Sequence, residues 1–239
     1  MPEHKLIITV LLNGLARWIA GLFGLTLKHD LFPNNFVVAI VVTALIIVFF
    51  KLTVRNLSVS APGKMQYFLE SLYKFFQGLL DDMIGHEGRR FIPILGTLGL
   101  FIAVSNLIGL FPEMESPTAN INTTAGCAIF IFIYYHAVGI KKHGFIHYIK
   151  SFAGPVWWLS WLFFPIEIIS HFARPLSLTM RLFGNIFGED LVIIIIASIV
   201  PFIAPLPVMA LAVFTSLLQA FIFVMLSTVY LSGAVADEH

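Results

Sequence analysis

The sequence predicts an all-α integral membrane protein with about five transmembrane helices, an amphipathic interfacial helix and a long, tilted C-terminal helix hairpin. Hydrophobic residues make up 59% of the 239 residues and charged residues only 11%, whereas soluble domains contain about a quarter charged residues. The mean hydropathy is +0.93, and the apolar residues gather in runs that approach or exceed the length needed to cross a bilayer. Because charges this sparse cannot cover a globule in water, lipid must be the main solvent.

We expect one membrane domain over residues 1–239, since no internal repeat, low-complexity tract or linker divides the chain. Residues 1–35 should form an external or interfacial N-terminal segment. Lys5 and the apolar run behind it superficially resemble a secretory signal, but Asn13 and Arg17 interrupt that run and no clear small-residue cleavage pattern follows. We interpret the segment as a retained, partly interfacial helix, with a cleaved signal as the alternative.

The next two elements differ in their hydrophobic pattern. Residues 36–55 form the first predicted span, an apolar run slightly short of bilayer length before Lys51. Residues 62–86 instead alternate apolar and polar faces at steps of three and four, which indicates an amphipathic helix along the membrane surface or against a partner. Its apolar positions are Met65, Phe68, Leu69, Leu72, Phe75, Phe76, Leu79, Leu80 and Met83; its polar positions are Gln66, Glu70, Lys74, Gln77 and Asp81.

Further spans are predicted at 93–111 and 124–140, separated by a short loop that contains Glu113. From there, residues 164–232 are apolar apart from a few polar groups and a proline-rich break, so they should form a hairpin of two helices, about 164–198 and 208–232. The first of these helices exceeds the length of a simple span and must tilt, bend or lie partly in the membrane plane. We expect the bend within 184–200.

The orientation follows from the positions of lysine and arginine in the short loops. The 51–92 connection contains six of these residues, the 112–123 loop none and the 141–150 loop three. The first and third connections should therefore be cytoplasmic and the second external. This places the N-terminus outside the cell and the C-terminus in the cytoplasm.

Five charged side chains interrupt the apolar stretch 153–236, namely Glu167, Arg174, Arg181, Glu189 and Asp190. Charges at membrane depth cost about 2.5–3.5 kcal/mol each on insertion scales and usually face a partner or a wet cavity. Glu167, Arg174 and Arg181 occupy positions i, i+7 and i+14, so they form one polar stripe along a helix face. For Glu167 and Arg174, mutual neutralisation inside the bundle and contact with water or another charged surface are equally open.

Arg181 has no acidic residue three or four positions away on its own helix. Glu189 lies about two turns further on roughly the same side, whereas Asp190 points to the opposite face of a regular helix. Arg181 therefore predicts a carboxylate on another helix or on a partner subunit, or a water-filled cavity.

For other polar residues, a purely structural role remains open. Gln219 and Asn106 could each be a buried amide bonded to a neighbouring helix. His136, His143 and His147 are spaced seven and four apart, but no carboxylate or cysteine completes a metal site. Cys127 stands alone, so the chain holds no internal disulfide. We expect no metal and no cofactor.

Several function classes are excluded by what the sequence lacks. It contains neither a basic stripe for nucleic acid nor a glycine-rich phosphate loop for nucleotide. Two further classes to weigh are a membrane-embedded enzyme and a secondary transporter. The first would need a nucleophile with its base or an acidic cluster, and the second should show two related halves; neither is visible.

Two motifs resemble the a-subunit family of bacterial F-type ATP synthases. The segment 174–191 reads R-P-L-S-L-T-M-R-L-F-G-N-I-F-G-E-D-L, and L-L-Q-A-F-I-F occupies 217–223. Three shorter motifs, P-G-K-M-Q at 62–66, G-H-E-G-R-R-F at 85–91 and N-L-I-G-L-F-P at 106–112, extend the likeness from about residue 36 to the end. The pair R-L-F-G-N and Q-A-F-I-F at this separation is highly specific.

The resemblance implies a non-catalytic, proton-translocating stator subunit in the inner membrane of a bacterial cell. Its partners would be a ring of c subunits, a peripheral stalk of b subunits and the lipid bilayer. By resemblance, Arg181 is the essential arginine that faces the ring carboxylates. The proton path would be lined by Glu167, Ser177, Asn185, Glu189, Asp190 and Gln219. Ala212 departs from the family pattern, because many relatives have His or Glu seven residues before the glutamine.

Overall fold

A computed structural model of the chain describes residues 9–14, 17, 32–55, 57–58, 63–111, 114–146, 148, 160–201 and 203–236. Its long helices are α1 (Asn34–Arg55), α2 (Lys64–Ile84), α3 (Ile92–Gly109), α4 (Ile121–His143), α5 (Ser160–Ile199) and α6 (Pro205–Val235). Two 3₁₀ helices, His86–Phe91 and Pro117–Ala119, precede α3 and α4. No strand occurs within these ranges.

Five helical stretches in the described ranges are long and apolar enough to cross a membrane. They are Asn34–Arg55, His86–Gly109, Ile121–His143, Ser160–Ile199 and Pro205–Val235. The helix α2 is not among them, because its sequence alternates polar and apolar faces. The predicted all-α membrane fold with a long C-terminal helix pair is therefore confirmed.

The N-terminal segment is joined to α1 through Asn13. Its buried side chain donates from Nδ2 to the carbonyl of Phe32 at 2.9 Å and accepts from the Phe32 N–H at 3.0 Å. The polar residue that interrupts the N-terminal apolar run thus satisfies backbone groups next to α1. Most of residues 1–35 lie outside the described residues, as do Pro62, Glu113 and His147.

Glycine residues bring α3 close to its neighbours. A Cβ atom at Gly99 would lie 2.7 Å from Cγ2 of Val224 on α6, and a Cβ at Gly96 would lie 3.6 Å from the Phe76 ring of α2. The α3 backbone therefore packs directly against side chains of both helices. Phe76 and Leu80 are buried in the resulting core, so they hold α2 against the bundle.

The helix α2 buries one residue that the amphipathic pattern placed on its polar face. Gln66 is only 9% exposed. Its amide accepts from the Ser58 N–H and donates to the Ser58 carbonyl, both at 3.0 Å, and it also donates to Glu70 at 2.8 Å. The amide is buried because it pairs with the backbone of the preceding connection. Met65 and Phe68 remain exposed, available to lipid or to a partner.

A glycine and an ion pair define the turn after α2. Gly85 adopts φ = +81°, a conformation that disfavours residues with a Cβ, and its N–H donates to the Asp81 carbonyl. Arg89 donates to the Asp81 carboxylate from Nε at 3.0 Å and from Nη2 at 2.7 Å. This contact lowers the pKa of Asp81. The motif at 85–91 therefore has a structural role, which is to fix the entry into α3.

The C-terminal hairpin consists of α5 and α6 joined by a short turn. The helix α5 is α-helical from Ser160 to Ile199 although it contains Pro165 and Pro175. Each proline removes a backbone hydrogen bond, so a helix tends to bend at such positions. The prolines lie outside 184–200, where the bend was expected, and a bend there stays a prediction.

Candidate functional site

All the predicted site residues are described, and all except Gln219 lie on α5. Among the five candidate spans, α5 buries the smallest share of its residues. Leu178, Thr179, Leu182 and Ile186 face the bundle and are buried. The opposite side of α5 therefore forms an outer surface of the described chain.

Arg181 lies on that outer surface, with no ion pair or hydrogen bond to it from the described residues. Ser177 and Asn185, one turn away on either side, are also exposed. A Cβ atom at Gly184 or Gly188 would meet nothing within 4 Å. We call these five residues the α5 outer strip. A guanidinium group here needs water or an anionic partner from outside, because burial of an unpaired charge in lipid is costly.

Asn185 and Gln219 connect the two helices of the hairpin. Nδ2 of Asn185 donates to Oε1 of Gln219 at 2.7 Å, and Gln219 is only 3% exposed. Asn185 precedes the end of α5 at Ile199 by as many residues as Gln219 follows the start of α6 at Pro205, so the two side chains reach the same depth. Arg181 lies one further turn from the hairpin turn, about 6 Å along the helix.

Glu189 and Asp190 lie one turn nearer the hairpin turn than Asn185, and both are partly buried. The Glu189 carboxyl group lies close to Thr215 on α6, whose hydroxyl donates to the Leu211 and Ala212 carbonyls of its own helix at 3.2 and 3.1 Å. Thr215 is a polar contact that the sequence reasoning missed. The sequence offered one signal for this proximity. Thr215 lies four residues before Gln219, and Glu189 lies four residues after Asn185, so each lies one turn nearer the hairpin turn on its own helix.

At the other end of α5, Glu167 takes part in a chain of three side chains. Oε1 of Glu167 lies 3.2 Å from Nε2 of His171, and Nδ1 of His171 lies 2.9 Å from the hydroxyl of Tyr135 on α4. Tyr135 is fully buried, whereas the Glu167 side chain is 42% exposed. Tyr135 was not identified from the sequence, because it lies on a different helix from His171.

Arg174 lies beside this group and packs between two aromatic rings. Its guanidinium carbon is 6.0 Å from the ring centroid of Tyr135 and 5.4 Å from that of Tyr230, and Nη2 is 4.0 Å from Oε1 of Glu167. The rings and the carboxylate together stabilise the cation. Glu167 therefore interacts with His171 and with Arg174, which fits a partial neutralisation of the two charges, and a role of the pair beyond this contact stays a prediction.

A buried polar network lies between α3, the 3₁₀ helix Pro117–Ala119 and α6. Asn106 donates from Nδ2 to the Ser216 carbonyl at 3.2 Å and accepts from the Thr118 hydroxyl. Ser116 contacts Thr118 at 2.7 Å and donates to the Ser105 carbonyl at 3.1 Å. The hydroxyls of Ser105 and Ser216 have no hydrogen-bond partner among the described residues. Buried hydroxyls of this kind usually bind water.

The histidines that were considered as metal ligands have other contacts where they are described. Nδ1 of His136 lies 2.7 Å from the hydroxyl of Tyr148, and the ring packs against that of His171. The described part of the chain contains no group of three or more His, Cys, Asp or Glu residues that could hold a metal ion. Ala212, the residue that departs from the expected motif, is buried.

Comparison with known proteins identifies close similarity over most of the chain. The family model of the ATP synthase A chain matches residues 36–232. The ATP synthase subunit a of Trichlorobacter lovleyi is 44% identical over 210 residues, which is 88% of this chain and 90% of that protein. The ATP synthase subunit a of Desulfosudis oleivorans is 51% identical over 200 residues, covering 83% and 86%. That of Geobacter sulfurreducens is 47% identical over 180 residues, covering 75% and 78%.

Proposed function

The chain belongs to the ATP synthase A chain family, and from this premise we propose that it is the stator ion channel of a rotary F-type ATP synthase. In this role two offset half-channels pass protons to and from carboxylates on a ring of c subunits. Proton flow is thereby coupled to rotation of the ring. Each unit charge that crosses the membrane releases about 2.3 kcal/mol per 100 mV.

The observation that carries this proposal is the position of Arg181. Its charge lies on the exposed outer strip of an apolar helix, with no anionic partner in the described residues. A carboxylate on a passing c subunit would supply that partner. Arginine suits this position because a guanidinium group stays protonated in proteins, so it holds the carboxylate ionised without releasing a proton of its own. It would thus prevent protons from passing directly between the two half-channels.

One half-channel would reach Arg181 from the hairpin-turn end. Glu189, Asp190 and Gln219 lie on this side of the arginine, and the buried network around Asn106 offers hydroxyl and amide groups beside α6. The Thr215 hydroxyl, which lies close to Glu189, provides a polar group beside Ala212, where a relay residue of the family pattern is absent. We propose that Glu189 and Asp190 carry out the relay without a basic or acidic residue on α6.

The other half-channel would leave toward the opposite end of α5. Ser177 is exposed one turn from Arg181, and Glu167 lies on the same polar stripe with its carboxylate partly exposed. The contacts with His171 and Arg174 hold that carboxylate in place. Such an arrangement suits a group that accepts a proton from the ring and passes it to solvent.

The remaining parts of the proposal concern location and partners. The membrane would be the bacterial inner membrane, with the N-terminus external and the C-terminus cytoplasmic, as the basic loops predict. The exposed residues of α2 would meet the b-subunit stalk or lipid headgroups. ATP chemistry would belong to other subunits, and this chain would bind neither nucleotide nor nucleic acid and need no cofactor.

Arg181→Ala in vesicles that contain the whole complex tests the central role. We expect ATP-driven proton pumping to be lost, because the ring carboxylate loses its cationic partner. After the soluble head is removed, passive proton leak should be equal to or greater than in the unmodified complex. Both are measured with a pH-sensitive dye.

Arg55→Ala is the matched control, since Arg55 is an exposed arginine at the end of α1 and far from the polar stripe along the chain. It should pump normally. Near-normal pumping by an assembled Arg181→Ala complex would rule out the proposed role and leave the stripe as a structural feature.

A further inference from the structure

A cavity of about 520 Å³ lies between the 3₁₀ helix His86–Phe91 and the C-terminal turn of α4. Arg90, Lys141 and Lys142 contribute cationic groups to its lining, and Glu87 is its single acid. The walls are otherwise apolar and formed by Phe91, Tyr134, Ala137 and Val138. The cavity thus combines a net positive charge with an apolar interior, at the end of two predicted membrane spans.

The cationic groups are only partly neutralised. Arg90 lies 3.8 Å from the Glu87 carboxylate, and the two side chains are 53% and 65% exposed, so this pair is weak. Arg90 also lies over the Phe91 ring, 4.8 Å from its centroid. Lys141 has no ion pair among the described residues. Lys142 donates to the Val235 carbonyl at 2.6 Å, which holds its ammonium group at the end of α6.

An exposed apolar stripe leads from this cavity along α4. Phe130 and Ile133 are 48% and 61% exposed, Ala137 is exposed, and Lys141 follows Ala137 by one turn. Residues at these spacings share one face of a helix. The Phe130 ring stacks on Tyr134, which lines the cavity, at 6.2 Å. The apolar stripe and the cationic cavity are therefore continuous.

We propose that this cavity binds the headgroup of an anionic phospholipid, with an acyl chain along the Phe130–Ala137 face of α4. A phosphodiester headgroup matches the arginine and the lysines in charge, and the stripe matches a hydrocarbon chain. Basic pockets between membrane helices at the cytoplasmic surface have this general property. Neither Arg90 nor Lys141 lies on the polar stripe of α5, so the lipid site is independent of the proposed ion path.

Photocrosslinking in the assembled complex tests the site. The complex is reconstituted in vesicles of phosphatidylcholine and phosphatidylglycerol in equal parts, with a trace of either lipid carrying a photoreactive acyl chain. We expect phosphatidylglycerol to label the peptide that contains residues 130–141 more strongly than phosphatidylcholine does. Each cation near an anionic lipid adds roughly fivefold in affinity, so Arg90→Gln with Lys141→Gln should lower the preference about tenfold or more.

The matched control is Lys51→Gln with Arg55→Gln, which removes two exposed cations from the end of α1 on the same predicted side of the membrane. It should keep the preference for phosphatidylglycerol. Equal labelling by the two lipids, or an unchanged preference in the Arg90/Lys141 variant, would contradict the proposal. Copurification of each variant with the complex shows that it has folded and assembled.

Two further outcomes separate the lipid from other occupants. Labelling that inorganic phosphate abolishes would identify a site for free phosphate and overturn the lipid assignment. Crosslinks from Lys141 to another subunit, with no lipid labelling, would identify a protein interface and overturn it as well. Ile133→Asn should reduce labelling without a change in charge, because it interrupts the apolar stripe.

Discussion

At the scale of single residues, two polar side chains of the C-terminal hairpin differ in burial and in hydrogen bonding. Gln219 is buried and bonded to Asn185, whereas Arg181 is exposed, without a described partner, only one turn further along α5. A buried amide is satisfied within the chain, and such a bond fixes how α5 and α6 meet. An unsatisfied guanidinium on a membrane helix needs a group from outside the chain. Gln219 thus has its partner within the chain, whereas the described residues supply none for Arg181.

Thr215→Val tests whether the Thr215 hydroxyl supports Glu189. Valine keeps the shape of the side chain and removes the hydrogen-bonding group. We expect ATP-driven proton pumping to fall about fivefold, because valine offers no polar group beside the Glu189 carboxyl. Thr43→Val is the control, because the Thr43 hydroxyl also donates to a carbonyl of its own helix, but Thr43 is exposed on α1 and away from Glu189 along the chain. Equal pumping rates in the two variants would show that Glu189 acts without Thr215.

Tyr135→Phe tests the chain of contacts that ends at Glu167. When the tyrosine hydroxyl donates to Nδ1 of His171, Nε2 carries the proton and donates to the carboxylate. Phenylalanine no longer fixes that tautomer, so passive proton conduction through the headless complex should fall about fivefold.

The matched control for this variant is Tyr230→Phe. The Tyr230 ring also lies beside Arg174, but the described residues give its hydroxyl no hydrogen bond. It should conduct normally. If both variants conduct at the unmodified rate, proton conduction does not depend on the contact between Tyr135 and His171.

At the scale of helices, two helices can approach closely where one of them has glycine, which lacks a side chain. The helix α3 places Gly96 against Phe76 of α2 and Gly99 against Val224 of α6. Since lipid tails are as apolar as leucine, association of membrane helices depends on such close packing and on hydrogen bonds more than on the hydrophobic effect. The interhelical bond from Asn106 to the Ser216 carbonyl adds to the same contact.

Gly99→Ala should destabilise this contact. The added Cβ would lie 2.7 Å from Cγ2 of Val224, a distance that forces a shift of the short valine side chain or of the backbone. We expect a loss of about 1–3 kcal/mol, in the range of overpacked cores. The measurement is the temperature at which the chain is lost from the detergent-solubilised complex.

Gly126→Ala on α4 provides the comparison, because a Cβ there would meet nothing within 4 Å. Alanine favours helix over glycine by roughly 1 kcal/mol, so this variant should be as stable as the unmodified chain or more so. Equal losses in both variants would mean that the effect of Gly99→Ala is not one of packing against Val224.

The sequence predicted the positions of polar groups along helices better than the contacts between helices. Spacing alone placed Glu167, Arg174 and Arg181 on one face, because helical periodicity is local. In straight helices, a hairpin turn at residue 204 would put Arg181 and Gln219 roughly 12 Å apart in depth. The structure ends α5 at Ile199 and starts α6 at Pro205, which aligns Gln219 with Asn185.

The interhelical partners could not be read from local patterns. Thr215 and Tyr135 each contact a residue on a different helix, and such contacts depend on rotation and register that no local spacing defines. For the same reason, the helical pattern placed Gln66 on the polar face of α2. Its burial depends on hydrogen bonds with the backbone of Ser58, which lies outside that helix.

At the scale of the whole molecule, the charges are unevenly distributed between the two ends of the bundle. The connections at 51–92 and 141–150 hold nine lysine and arginine residues, and the loop at 112–123 holds none. This asymmetry favours one orientation in the membrane. The lipid site proposed above lies at the basic end, where an anionic headgroup would add to the same preference.

Labelling of single cysteines tests the orientation. Cys127 is buried, so its background reaction should be low even before it is replaced by serine. In the Cys127→Ser chain, Lys64→Cys lies at the start of α2, Met114→Cys between α3 and α4, and Ile203→Cys in the hairpin turn, and all three positions are exposed. A membrane-impermeant maleimide added to intact spheroplasts should label positions 114 and 203 only. In inverted vesicles it should label position 64 only, since the basic connections remain on the cytoplasmic side. Labelling of 64 and 114 from the same side would mean that His86–Gly109 does not cross the membrane, and the opposite sidedness at all three positions would reverse the assignment of the two half-channels.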